Sequence, residues 1–176
     1  MYISDISNKI DKYDCDLEKR VFASLDKLKI KYEGVKNDVA ESMDECVEIS
    51  KKLGEEVRKT VVVCNRQKTN YYLVVLPADK RFDTKTFAKN MGCARVSFAQ
   101  EEDMLKILGV TYGNASVMSV LNDKDNIVQV VIDKEIMDST YFACNTGINT
   151  THIKITTNDL ITFLKEENHE AKIIEL

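Results

Sequence analysis

The sequence lacks the patterns that build metal centres, disulfide frameworks and membrane spans. It has two histidines, no tryptophan and five cysteines, and no two cysteines form a C-x-x-C pair. An odd and widely spaced set of cysteines argues against a disulfide framework and a zinc site, so we expect free thiols, no metal and no cofactor. No apolar run approaches the ~18 residues of a membrane-spanning helix. The N-terminal stretch lacks the apolar core of a secretory signal, so we expect a cytoplasmic protein.

The charge is acidic in total but unevenly distributed. The formal net charge is −4, yet the segment 58–89 carries +6 and the remainder −10. A local basic face can bind a phosphate backbone with salt-sensitive affinity. A solvated hairpin and helix surface would have the same composition, so charge alone leaves both interpretations open. The basic residues of the segment are Arg58, Lys59, Arg66, Lys68, Lys80, Arg81, Lys85 and Lys89.

Apolar periodicity and capping residues predict five helices. The first follows Asp14 and Asp16, where apolar residues recur at the spacing of one helical face. The second starts at Ser42, because Ser42 and Glu45 form a capping-box pattern, and Gly54 can end it in the left-handed conformation. The others are predicted at 84–91, between Asp83 and Gly92, at about 100–108, before Gly109, and from Thr157 onward.

The strands are predicted mainly from β-branched runs. The five polar residues 65–69 lie between the runs 60–64 and 71–76, which predicts an antiparallel hairpin. Both runs are continuously apolar, so the hairpin is expected to be central and covered on both faces. The runs 116–121 and 127–132 around turn residues 122–126 predict a second hairpin. Shorter strands are expected at 31–35, 141–144, 152–155 and 172–174.

Hairpins mixed with helices indicate an α/β (α+β) fold with a mixed sheet or a small barrel. Several segments then follow in a familiar order: KTVVV at 59–63, YLVVLPADKRFD at 72–83, SFA at 97–99, LGVTYGNAS at 108–116, LND at 121–123, VVID at 130–133 and NT at 149–150. Across about residues 40–164, this order resembles the YbaK/prolyl-tRNA-synthetase-associated editing family. Within that family it is most similar to the freestanding branch that deacylates alanyl-tRNA(Pro).

The resemblance implies one editing domain over residues 1–176, with a mixed, barrel-like sheet of six or seven strands and flanking helices. It implies a trans-editing hydrolase that releases a wrongly attached amino acid from the 3′ end of tRNA. The expected substrate is alanyl-tRNA(Pro) or a similar small-amino-acid prolyl-tRNA. The expected partners are tRNA, bound through the basic segment 58–89, and a synthetase as a further candidate; no membrane contact is expected.

The resemblance also supplies the candidate site residues. The family's strand-heading lysine maps on Lys59, which is the predicted catalytic residue. The glycine-containing loop that lines the substrate pocket maps on 113–117. The predicted substrate-binding residues are Thr60, Gly113, Asn114, Ala115, Ser116, Asn145 and Asn149.

Three positions depart from the family pattern. Thr60 stands where asparagine is common, Asn145 and Thr146 stand where the branch has His-Pro, and Val117 replaces a proline. These departures leave the amino-acid specificity open. They also favour an alternative from another class, a non-catalytic module that binds and senses an amino acid or aminoacyl-tRNA.

The expected chemistry is attack of water on an aminoacyl ester, which needs a positioned water and donors where negative charge develops. Lys59 can provide positive charge to the carbonyl oxygen or to the terminal phosphate, although lysines at strand ends are usually solvated. Gly113 lets the backbone approach a ligand, although a plain turn would look the same. Asn145 and Asn149 offer hydrogen bonds to a ligand or to their own backbone.

Overall fold

The computed structural model describes all 176 residues as five α-helices, eight strands and three short 3-10 turns. None of the helices combines the length and the apolarity that crossing a bilayer would require. The helices are α1 (Asp16–Lys27), α2 (Met43–Leu53), α3 (Thr84–Met91), α4 (Glu101–Leu108) and α5 (Thr157–Glu166). The strands are β1 (Glu33–Lys36), β2 (Lys59–Asn65), β3 (Tyr71–Leu76), β4 (Val96–Phe98), β5 (Val128–Asp133), β6 (Tyr141–Asn145), β7 (Thr151–Thr156) and β8 (Lys172–Ile174).

The strands form two sheets. One has five strands in the order β4-β2-β3-β5-β8, and the other has three in the order β1-β7-β6. The β2/β3 pair is antiparallel, whereas β5 runs parallel to both β3 and β8. An isolated parallel bridge between Val57 and Ala143 connects the two sheets at the start of β2. The predicted α+β class with a mixed sheet is confirmed, but the strands do not close into a single barrel.

The predicted hairpin of β2 and β3 lies at the centre of the larger sheet. Alternate residues of a strand face opposite sides of a sheet. On one side, Val62 and Leu73 pack into the main core beneath α1, α4 and α5. On the other, Val63 and Val74 pack into a smaller core with Phe87 of α3. Both faces are therefore covered, as the continuously apolar runs predict.

The second predicted hairpin is wrong. Residues Val117–Asn122 form a 3-10 helix, and β5 pairs in parallel with β3. A short buried apolar run suits a helix as well as a strand, so its type depends on what surrounds it. Here the Ser116 hydroxyl accepts a hydrogen bond from the Met118 amide at 3.1 Å and caps the turn. Asp123 then accepts hydrogen bonds from the amides of Ile127 and Val128, which leads the chain into β5.

The predicted helix ends are confirmed. The Ser42 hydroxyl accepts a hydrogen bond from the Glu45 amide while Glu45 bonds back to the Ser42 amide, which completes the capping box of α2. Asp83 caps α3 through two backbone amides. Gly54, Gly92 and Gly109 each follow a helix in the left-handed conformation. These short-range signals set the lengths of α2, α3 and α4.

Candidate functional site

Two loops that are distant in sequence meet beside the smaller sheet. The first is the segment 110–116, which leaves α4 and passes through a 3-10 turn, Tyr112–Asn114, before the capped turn at Ser116. The second is the tight turn 146–150 that joins β6 to β7. Gly147 has a φ of +90° in this turn, a conformation that strains any residue with a Cβ.

Hydrogen bonds join the two loops directly. The Ser116 hydroxyl donates to the Asn145 carbonyl at 2.7 Å, and the Asn145 side-chain amide donates to the Ala115 carbonyl at 3.3 Å. The Asn114 side-chain oxygen accepts from the Asn149 backbone amide at 2.8 Å. We call this set, Asn114, Ala115, Ser116, Asn145 and Asn149, the loop frame. The structure thus brings together in one place six of the residues predicted to bind substrate, since Gly113 adjoins the frame.

The side-chain amide of Asn149 is the free polar group of the frame. Asn149 is only 8% exposed, yet its side-chain amide makes no hydrogen bond within the protein. A Cβ at Gly113 would lie 3.5 Å from its Nδ2 atom, so the glycine leaves the space beside this amide open. Neither the nitrogen nor the oxygen of this amide is fully buried, so the amide still reaches solvent. An unpaired amide facing such a space is therefore available to a ligand.

Lys59 and Thr60 lie near the frame but on different faces of β2. The Arg58 amide donates to the Ala143 carbonyl at 2.9 Å, so β2 starts alongside β6, two residues before Asn145. The Thr60 side chain is on the face of the main core, opposite Val75 in register. The Lys59 side chain is on the other face and donates through Nζ to the Lys80 carbonyl. Lys59 is half-buried and has no ion-pair partner, but it is not part of the frame.

Two titratable side chains next to the frame, Cys144 and His152, are neutral. Burial raises the pKa of Cys144 to about 12, so this residue before Asn145 remains a thiol. Burial also lowers the pKa of His152 to about 4, so its ring is uncharged near neutral pH. The Ser116 hydroxyl already donates to Asn145 and has no basic side chain beside it. The frame therefore offers hydrogen-bond donors and acceptors, with no activated nucleophile.

The basic segment 58–89 is partly neutralised by ion pairs. Arg58 pairs with Glu55 and Glu56, and its side chain is only 8% exposed. Lys68 pairs with Asp103, and Lys80 pairs with Asp133 and Glu135. Four exposed basic residues of the segment remain without an ion pair: Arg66, Arg81, Lys85 and Lys89.

Cavities elsewhere on the surface do not coincide with the frame. Five of them have volumes between about 260 and 980 Å³, and none is lined by Lys59 or by a residue of the frame. None of these five cavities therefore contains the space beside the Asn149 amide.

Sequence reasoning missed Asn37 and Tyr112. The Asn37 side chain binds the Asn149 carbonyl at 2.9 Å. The Tyr112 hydroxyl accepts from the Glu101 amide at 2.9 Å, which fixes the ring against the start of α4. A turn-forming asparagine carries no signal of a remote partner, so only the fold reveals Asn37. Tyr112 lies next to Gly113 in the segment 108–116, which carries part of the family resemblance, so the sequence did contain a signal for this residue.

The comparisons agree with this fold. The aminoacyl-tRNA editing domain family matches residues 38–163. The prolyl-tRNA editing protein ProX of Acetoanaerobium sticklandii is 31% identical over 163 residues, which cover 93% of this chain and 99% of that protein. The prolyl-tRNA synthetase associated domain-containing protein 1 of Xenopus laevis is 27% identical over 163 residues, which cover 90% of this chain and 96% of that protein.

Among solved structures, one described as a candidate trans-editing enzyme for prolyl tRNA synthetase superposes with a TM-score of 0.71. Its sequence is 15% identical, and the match covers 93% of this chain and 98% of that one. At this identity the likeness shows the fold alone. The family match and the identity to ProX confirm the resemblance and the predicted enzyme class, an aminoacyl-tRNA deacylase. The chain belongs to the aminoacyl-tRNA editing domain family.

Proposed function

We propose that this chain edits prolyl-tRNA in trans, by hydrolysing the ester that links a small, wrongly attached amino acid to the 3′ end of the tRNA. The observation that carries the proposal is the unpaired side-chain amide of Asn149 beside Gly113, on a residue that is only 8% exposed. This amide can donate a hydrogen bond to a small ligand that reaches it. The name of the ProX relative supports prolyl-tRNA as the substrate class. Alanyl-tRNA(Pro) is the substrate expected from the branch that the sequence resembles.

In the proposed reaction, a water oxygen attacks the ester carbonyl carbon. The bond from that carbon to the ribose oxygen breaks, and the ribose oxygen takes up a proton, which releases the free amino acid and the intact tRNA. Negative charge grows on the carbonyl oxygen during the attack, and the Asn149 amide is the donor placed to bind it. Because the frame has no titratable base, the ribose hydroxyl of the substrate is the group assigned to orient the water.

We assign to Lys59 the role of supplying positive charge to the site. It has no carboxylate partner, in contrast to Arg58, Lys68 and Lys80, so its charge is not compensated locally. Its place on the other face of β2 favours a contact with the terminal phosphate over one with the ester carbonyl. Thr60, which lies on the face of the main core, is assigned to the wall of the pocket.

Selection by size gives the proposal a physical basis. A synthetase distinguishes substrates that differ by one methylene by only about 1–3 kcal/mol, so a smaller amino acid escapes exclusion. A narrow opening that admits only small side chains removes this error. The two loops beside Gly113 are hydrogen-bonded to each other, and this supports a role in which they form the walls of a small site.

A deacylation panel tests the proposal. The purified chain is incubated with Ala-, Ser-, Cys- and Pro-tRNA(Pro) and with Ala-tRNA(Ala), and the release of each amino acid is followed over time. We expect the fastest release from Ala-tRNA(Pro) and none from Pro-tRNA(Pro). Tight binding of these tRNAs without release would instead support the non-catalytic sensor, which the replacement of His-Pro by Asn145 and Thr146 favours. Equal rates on all five tRNAs would contradict prolyl-tRNA editing.

A further inference from the structure

The turn that carries Asn149 is held by residues that precede the family match at residue 38. The Asp14 carboxylate accepts a hydrogen bond from the Thr150 hydroxyl at 2.6 Å. On the other side of the turn, the Thr146 hydroxyl lies 3.5 Å from the Glu18 carboxylate. Both ends of the turn therefore contact the start of α1 and the loop that precedes it.

Glu18 is a fully buried carboxylate at this contact. Its residue is 0% exposed, and its Oε1 atom lies 2.9 Å from the Lys36 ammonium. The same ammonium lies 3.0 Å from Asp14. The Thr150 hydrogen bond and the nearby Lys36 lower the pKa of Asp14, despite the opposing effect of burial. A buried carboxylate is tolerated only when paired, and the Lys36 ammonium is the partner of Glu18 beneath the turn.

Asn37 holds the turn from the end of β1. Its Nδ2 atom donates to the Asn149 carbonyl at 2.9 Å and to the Asp38 carbonyl at 2.7 Å. Because both Nδ2 hydrogens are donated, the Oδ1 atom is the acceptor in the 2.9 Å contact with His152 Nδ1. His152 is therefore protonated on Nδ1, and its buried ring fixes the orientation of the Asn37 amide.

We propose that Glu18 and Asn37 are positioning residues of the editing site. Neither touches the substrate; they set the conformation of the turn 146–150 and thereby hold the Asn149 amide beside Gly113. The inference rests on the proposed function, since it assigns a task to the turn in the same reaction. It makes the N-terminal segment part of the site.

Two variants test this role. Asn37→Ala removes the side-chain contacts but retains the 2.9 Å hydrogen bond from its backbone amide to the Thr150 carbonyl, so the strand pairing persists. Glu18→Gln keeps the shape of the side chain and removes the charge. A small misplacement of a reacting group can reduce a rate about 100-fold, so we expect kcat for deacylation to fall about 10- to 100-fold. The KM for tRNA should change little, because neither substitution alters the exposed basic residues of the segment 58–89.

A second readout does not depend on activity. Amide hydrogen exchange at Gly147 and Asn149 should accelerate in both variants while exchange in β2 and β3 stays unchanged. The control is His169→Ala. It removes a different buried hydrogen bond, the 2.9 Å contact between His169 Nε2 and the Asp123 carboxylate, in which no residue of the frame takes part. It should lower the melting temperature without altering kcat or exchange in the turn.

The outcomes separate the two proposals. If His169→Ala lowers kcat as much as Asn37→Ala at an equal loss of stability, or if exchange in the turn is unchanged in Asn37→Ala, the positioning role is wrong. If the wild-type chain releases no amino acid from any tRNA of the panel, the proposed function fails, and hydrogen exchange in the turn alone decides whether Glu18 and Asn37 position it.

Discussion

Lys59 lacks the carboxylate partner that Arg58 and Lys80 have. We expect Lys59→Ala to abolish deacylation of mischarged tRNA while leaving the fold intact. Its Nζ atom makes one hydrogen bond to a backbone carbonyl, so the loss in stability should be about 1 kcal/mol. Deacylation rates and the melting temperature measure the two effects. A folded Lys59→Ala variant with retained turnover would refute the role of Lys59.

Two glycines of the site are predicted to respond differently to the same substitution. Gly147→Ala strains a φ of +90° and places a Cβ 2.9 Å from Leu17 Cγ in the core, so it should destabilise the fold by about 2–4 kcal/mol. Gly113→Ala meets only an ordinary contact, 3.5 Å from Asn149 Nδ2, and should change stability by about 0.5 kcal/mol or less.

The Gly113→Ala methyl would nevertheless cover the Asn149 amide. We expect kcat/KM to fall about tenfold at an unchanged melting temperature. Denaturant unfolding and deacylation assays on the two variants check this separation. Full activity in Gly113→Ala would show that the space beside the amide is not the substrate site.

At the scale of elements, α3 carries two of the four exposed basic residues of the segment 58–89 that have no ion pair. Lys85 and Lys89 are four residues apart, so they share one face of the helix, and neither forms an ion pair. We propose that this face contacts the tRNA backbone. The double variant Lys85→Ala/Lys89→Ala should raise KM for tRNA, leave kcat unchanged and reduce the salt slope of log KM by about two.

A matched control removes two exposed lysines of other elements, Lys165 of α5 and Lys172 of β8. Substituting both by alanine changes the net charge equally but leaves α3 intact. Identical salt slopes for the two double variants would mean that α3 makes no specific contact and that only the total charge of the chain matters.

For the whole molecule, the buried ring of His152 links stability to pH. Burial lowers its pKa from 6.5 to about 4 in the folded chain, so between these values the unfolded chain binds more protons. The contribution of His152 to the free energy of unfolding is complete above pH 6.5 and is lost as the pH falls to about 4. The loss corresponds to about 3 kcal/mol, because one pKa unit is about 1.4 kcal/mol.

Urea unfolding of the wild type and of His152→Asn between pH 4 and pH 7 measures this effect. The wild type should lose stability across the window, while the variant should show a flatter profile. Asp14 does not contribute to the pH dependence in this window. Its pKa lies below its usual value of 3.8, so its contribution to stability is lost only at lower pH. Parallel profiles for the two proteins would contradict the assignment to His152.

Local signals in the sequence determined much of the secondary structure. The capping box of Ser42, the Asp83 cap and the glycines after α2, α3 and α4 act within a few residues, so the chain specifies them without its tertiary context. The β-branched runs of β2 and β3 likewise indicated a central, doubly covered hairpin. The ordered family motifs selected the loop residues that later meet in the frame.

Only the tertiary structure decided which distant segments pair. The run at 117–122 forms a 3-10 helix because Ser116 caps it. The strand β5 that follows pairs in parallel with β3 and does not pair with this run. Lys59 and Thr60 are adjacent in sequence, but their side chains lie on opposite faces of β2. The contact of Asn37 with Asn149 joins residues more than a hundred positions apart. Such contacts depend on how packed elements meet, and no pattern of a few neighbouring residues encodes that geometry.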